Sequence, residues 1–303
     1  MVADGHAPSS SELQELKFQE PGAEYEILNV RGISYGRQSR VSVVNFKLGD
    51  HYEPIVWKRM AAGKGLTREE AADLEPRIHT YRRSLREHGW NVPKINHSHI
   101  VQVGDEWQIW SYDQYIEGGD GDFLIKDPTT PAYRKWYVLR TIVETLAEYP
   151  TNSLRRWLVN GTTFTGLVHG LDLKLANTVS HRNIVWFVDL FGPKEISWTL
   201  DSNHAAERTF TPDWVTYSDK LDSLNAHKLL LVCATREGAI LRLYRLAEQH
   251  WMKAGHIRVE VLRSQLLKIL DEVSLPQGEK DFIVQELESN YRWLDSLYSE
   301  DHV

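Results

Sequence analysis

The sequence predicts an α+β protein built as two lobes, a small antiparallel β lobe followed by a larger, mainly helical one. Three observations predict it. Short β-type runs crowd the first part of the chain, long patterns of helical period fill the rest, and 303 residues suffice for two domains or for one domain in two lobes. The boundaries that follow are a mobile leader over 1–24, a small lobe over 25–117 and a large lobe over 118–303.

The composition excludes several classes. With 42% apolar and 25% charged residues, and with 11 Trp and 13 Tyr, the chain is globular rather than disordered. A net charge of -7 excludes a broad nucleic-acid surface, which needs an excess of Lys and Arg to displace counterions from phosphates. No apolar run approaches the about 18 residues of a membrane span, and no basic, then apolar, signal opens the chain. These features predict a cytoplasmic protein with no membrane partner. They leave the oligomeric state open. Cys233 is the single cysteine, so no internal disulfide forms, and within KLLLVCAT it reads as core.

The elements of the small lobe follow in order. YEILNV, VSVVNFKL and PIVWKR read as three consecutive antiparallel strands. TREEAADLEPRIHTYRRSLREHG then reads as a helix, with Thr67 and Glu70 at capping-box spacing, Gly89 as the C-terminal stop and a restart or kink at Pro76. HIVQVGDEW and QIWSYDQYI supply two more strands before the Gly- and Asp-rich EGGDGD. In the large lobe, helices are expected at 132–149, 225–253, 259–273 and 279–298. A single hairpin interrupts them: LANTVS and NIVWFVDL, turning at His181, Arg182 and Asn183.

The polar residues of interest cluster around that hairpin, in VHGLDLKLANTVSHRNIVWFVDLFG. Asp172 stands five residues before Asn177, and Asp189 ends the second strand ahead of Leu190, Phe191 and Gly192. This segment resembles the catalytic loop and metal-binding loop of the protein-kinase-like superfamily, closest in character to aminoglycoside and choline phosphotransferases. The resemblance implies a two-lobed protein-kinase-like fold with ATP and magnesium bound between the lobes. It also implies that Asp172 orients and deprotonates a substrate hydroxyl, that Lys174 neutralises the transferring phosphoryl group, and that Asn177 and Asp189 bind Mg2+. His169 departs from the family pattern by one position and reads as a loop residue.

The same resemblance extends upstream. Lys58, on the third strand, matches the lysine that contacts nucleotide phosphates, and Glu75 is its expected ion-pair partner, with Glu69 and Glu70 as competitors. The nucleotide-covering loop falls in VRGISYGRQSR, where Gly32, Ser34 and Gly36 are the candidate phosphate contacts beside Ser39; a plain hairpin turn accounts for that segment equally well. Adenine is expected against the linker of Gln114, Tyr115, Ile116 and Glu117.

Other sites are weak. AAGKGLT lacks the P-loop pattern, His97 and His99 read as surface loop residues without a third metal ligand, and Asn160-Gly161-Thr162 is a glycosylation sequon of no consequence in the cytoplasm. The expected function is phosphoryl transfer to a hydroxyl of a small molecule. No A-P-E triplet follows Asp189 to end a peptide platform; TFTPDWVTYSD is the nearest text. The same region offers Trp198, Trp214, Tyr217 and Trp251 with Asp201, Asp213 and Asp219, which suit a polar or cationic acceptor or else the core. A protein Ser/Thr kinase, favoured by Lys174, and a catalytically silent scaffold are the alternatives.

Overall fold

The computed structural model describes residues 27–35, 39–48, 51–61, 65–159, 162–167, 171, 173–188, 196–199, 209–212, 232, 235–253 and 258–299. It is a mixed α+β chain that divides into two compact units. The first takes in the described residues through Thr80 together with Pro93–Ile116, and the second takes in Tyr81–Val92 and the described residues from Glu117 onward.

The first unit is a five-stranded antiparallel sheet with a helix. Its strands are β1 (Ile27–Tyr35), β2 (Ser39–Leu48), β3 (His51–Met60), β4 (Ile95–Val103) and β5 (Glu106–Gln114), in the spatial order β1-β2-β3-β5-β4. Strand residues alternate between faces, which assigns each side chain to one of two environments. One face carries Val44, Trp57, Trp110 and Tyr112, all buried, with the two tryptophans edge-to-face at 5.0 Å. The other face carries Lys58, Ser111 and Ser98 in one cross-strand row.

Helix α1 (Arg68–Glu87) joins β3 to β4 in sequence. It starts as its capping box requires: Glu70 N–H donates to Thr67 Oγ1 at 3.2 Å, and Thr67 N–H donates to Glu70 Oε2 at 2.7 Å. Ala71, Leu74 and Ile78, at three- and four-residue spacing, are its buried stripe in this unit. Pro76 neither ends nor restarts the helix, which is continuous through it. The proline ring removes one donor on an exposed flank of the helix. Gly89, at φ +83°, takes the left-handed conformation that stops the helix, and Trp90 N–H closes back on the Leu85 carbonyl at 3.0 Å.

In the second unit, α2 (Gly121–Lys126), α3 (Ala132–Glu148), α4 (Arg236–Lys253), α5 (Val259–Glu272), α6 (Gln277–Glu288) and α7 (Arg292–Ser299) enclose one core. Leu139, Ile142, Val143 and Leu146 of α3 join Ile240, Leu243, Tyr244 and Trp251 of α4 there. Arg236 ties the helix ends together: its guanidinium donates to the carbonyls of Leu146 at 2.9 Å and Tyr149 at 2.8 Å, and to Glu279 at 3.0 Å. That adds a second donor to the Leu146 carbonyl, which also accepts from Tyr149 N–H, and satisfies the Tyr149 carbonyl just past the end of α3. No helix among the described residues is long and apolar enough to cross a membrane.

Several expectations need correction. The 279–298 helix is two helices, because Asn290 and Tyr291 both adopt positive φ, at 55° and 58°, and Tyr291 N–H returns to the Glu286 carbonyl. The hairpin around His181 is not single: β7 (Thr151–Val159) pairs with β8 (Thr162–Leu167), and β11 (Ile196–Thr199) with β12 (Thr209–Pro212). β5 begins at Glu106, since Gly104, at φ +62°, turns the chain within what reads as one run. The helix expected over 225–253 is described from Arg236; most of its first part lies outside the described residues.

Candidate functional site

In the first unit, the polar centre is a buried ion pair. Lys58 Nζ lies 3.2 Å from Asp113 Oδ2, with the two side chains 4% and 1% exposed. β3 and β5 pair so that Lys58 faces Ser111, which places Asp113 diagonally opposite on the same face. Glu75, on α1, accepts a hydrogen bond from Ser98 Oγ on β4 and lies 3.6 Å from His79 Nε2. His79 Nε2 is 2.6 Å from the same Ser98 oxygen. Because Ser98 gives its one proton to Glu75, the imidazole N–H is the donor in that contact. Among the described residues, Glu75 therefore meets Ser98 and His79, while Lys58 meets Asp113. The sequence points to a carboxylate on the helix and gives no local signal for Asp113. Of the competitors, Glu70 is committed to the cap, and Glu69 is exposed in the first turn.

The segment expected to cover the nucleotide is mostly strand rather than loop. Gly32 faces Ser42, Ser34 faces Val41, and an irregularity between them puts one extra residue on β1. Only 36–38 separate β1 from β2, and Gly36 lies outside the described residues. At the end of β5, Gln114 N–H donates to the Lys94 carbonyl at 2.9 Å. Tyr115 and Ile116 follow outside the strand, both half-buried.

His97 and His99 sit on β4, not in a loop. Their rings stack with Tyr112, at 6.2 Å and 5.7 Å between centroids, on the face away from Lys58. Burial, reinforced by His97 and opposed by Glu75, pushes the His99 imidazole below its ordinary range. Among the described residues no cluster of His, Cys, Asp and Glu is arranged to hold a metal by itself.

In the second unit, a single 3₁₀ turn (Leu175–Asn177) leads into the hairpin of β9 (Thr178–His181) and β10 (Ile184–Phe187). Arg182 and Asn183 both have positive φ, at 47° and 61°, as a two-residue hairpin connection requires. Leu171, Leu173 and Leu175 are buried at alternate positions, and Lys174, between the last two, is half-buried. Asn177 is buried; its N–H donates to the Lys174 carbonyl at 3.0 Å, and its carbonyl accepts from Val188 N–H at 2.8 Å. This last bond brings the chain immediately before Asp189 against Asn177. Asp172 and Asp189 themselves lie outside the described residues, as do His169, Phe191, Gly192 and Cys233.

A short strand, β6 (Gly119–Asp120), braces β9, with Gly119 opposite Ser180 and Asp120 opposite Val179. Asp120 then caps α2 by accepting from Phe123 N–H at 2.7 Å. Gly121 makes the close approach: a Cβ there would lie 2.5 Å from Thr178 Oγ1 and 2.7 Å from the Leu175 carbonyl oxygen. The Gly- and Asp-rich EGGDGD is thus the backing of the Asn177 turn, a role its composition did not announce. Of the aromatic residues weighed as an acceptor wall, Trp251 is core, buried against Trp136 at 4.4 Å. Trp198 lies on β11, and Trp214, Tyr217, Asp201, Asp213 and Asp219 fall outside the described residues.

No protein-family model matches the chain, and no curated protein matches it in sequence.

Proposed function

We propose that this chain is an ATP- and magnesium-dependent O-phosphotransferase of protein-kinase-like fold that moves the γ-phosphoryl group to a hydroxyl of a small molecule. The observation that carries the reading is the bond from Val188 N–H to the Asn177 carbonyl, which sets the residue before Asp189 in sequence against Asn177 across the hairpin. The sequence of elements in the first unit supports it too: three strands, a helix and two strands, with a buried lysine on the third strand.

Each residue then has a task. Asp172 accepts the acceptor's proton as its oxygen bonds to the γ-phosphorus and the bond to the bridging oxygen breaks. Lys174 offsets charge on the transferring group, and Lys58 holds the nucleotide phosphates. Asn177 and Asp189 supply two hard oxygen donors, a set that fits magnesium, which takes few protein ligands and completes its shell with phosphate and water. When bound, the ion neutralises charge on the phosphate oxygens. The absence of an A-P-E triplet favours a small acceptor, whereas Lys174 favours the second reading, a protein Ser/Thr kinase.

A phosphate-transfer screen tests the proposal by offering aminoglycosides, amino alcohols, nucleosides and extract metabolites beside peptide libraries. Magnesium-dependent labelling of a small hydroxyl compound is expected. Sequence-selective labelling of peptides alone would replace the small-molecule reading with the protein-kinase one.

A further inference from the structure

Lys58 is a buried cation, and a buried ammonium ion needs a carboxylate to hold its charge and direction. Among the described residues, two carboxylates bear on that task. Across the sheet, Lys58 faces Ser111 on β5, and Ser111 faces Ser98 on β4, so the three side chains form one row on one face. Asp113 lies two residues along β5 from Ser111, on that same face, with Oδ2 3.2 Å from Nζ. Glu75 reaches only the far end of the row, where it accepts from Ser98. Adjacent strands stand about 4.8 Å apart, so Ser98 is two spacings, roughly 10 Å, from the backbone of Lys58.

Among the described residues, Ser111 does not relay that end to the lysine. Ser111 Oγ, wholly buried between Ser98 and Lys58, makes no hydrogen bond among the described residues. The chain from His79 and Glu75 to Ser98 therefore stops one residue short.

We infer that Asp113, on the sheet, is the positioning residue for Lys58, and that Glu75, Ser98 and His79 form a separate cluster fastening α1 to β4. The inference rests on the reading of Lys58 as the phosphate-binding lysine. It has a mechanical consequence. β3 and β5 are paired strands, so the contact between Lys58 and Asp113 is set by their register.

The test measures binding of ATP with magnesium by calorimetry, alongside thermal melting, in the full chain. Asp113→Asn weakens binding by about 10-fold or more, the scale of a lost charge-assisted contact, and Asp113→Glu recovers a substantial part of it. Because Asp113→Asn takes a carboxylate away from a buried ammonium and risks misfolding, the doubly apolar Lys58→Met/Asp113→Leu serves as the fold control. It melts near the wild type yet binds no worse than Lys58→Met alone, since the pair acts as one unit. Unchanged or tighter binding by a folded Asp113→Asn overturns the inference. So does a larger loss from Glu75→Gln than from Asp113→Asn. A wild-type chain that binds no nucleotide overturns the phosphotransferase reading and this inference with it, an outcome distinct from normal wild-type binding with an indifferent Asp113.

Discussion

Gly121→Ala probes whether the Asn177 turn depends on the close approach of the first residue of α2 behind it. The added methyl would meet Thr178 Oγ1 at 2.5 Å and the Leu175 carbonyl at 2.7 Å, both well inside contact distance, and neither group is the free end of a flexible chain. Relief requires moving the 3₁₀ turn or α2, an overpacking cost of about 1–3 kcal/mol. It also disturbs the 2.8 Å bond from Thr178 Oγ1 to the Leu175 carbonyl, worth about 1 kcal/mol. The sum of roughly 2–4 kcal/mol is a large share of the stability of any domain. For a unit of roughly 200 residues it lowers the melting temperature by about 5–15 °C. Gly278→Ala is the control, because nothing lies within 4 Å of a Cβ there and alanine suits the helix better. Circular-dichroism melts of both variants decide the matter. A Gly121→Ala protein that melts within a degree of wild type would refute the packing argument.

Two further outcomes follow from the site and the core. Asp189→Ala should weaken nucleotide binding more with magnesium than without it, by calorimetry; equal losses would mean the carboxylate binds no ion. Burial pushes the Glu237 carboxyl up to about 8, with Glu279 adding to the rise and Arg236 opposing it. A carboxyl whose folded value exceeds its unfolded one favours the fold at low pH, so its support is lost as pH rises from about 4.5 to about 8, at roughly 1.4 kcal/mol per pH unit at most. Glu237→Gln should therefore gain stability relative to wild type between pH 5 and pH 8 in denaturant titrations, and a constant difference would show that Glu237 ionises normally.

Much of the first unit was legible because its strands alternate and its helix carries both punctuation marks, Thr67 with Glu70 at the start and Gly89 at the end. The lysine on β3 and the β9–β10 hairpin were legible for the same reason. The β7–β8 hairpin was missed although its signal was present: Asn160-Gly161 stands between two strands whose ends, Val159 and Thr162, face each other. That dipeptide favours a tight hairpin turn, but it read as a sequon. Asp113 was hidden by a different cause. Its importance depends on register across β5 and β3, and register is fixed by pairing rather than by anything local to QIWSYDQYI. The break at Asn290 and Tyr291 was signalled only by Asn290, a residue that adopts positive φ readily, while Tyr291 gives no hint of it.

The most direct measurement is transfer of the γ-phosphoryl group from ATP by the wild type and by Asp172→Ala, with nucleotide binding followed in parallel. The wild type is expected to transfer it to a hydroxyl acceptor in a magnesium-dependent way, and Asp172→Ala to lose about 10²-fold or more of that activity with binding retained. Near-normal turnover by a folded Asp172→Ala protein would contradict this expectation.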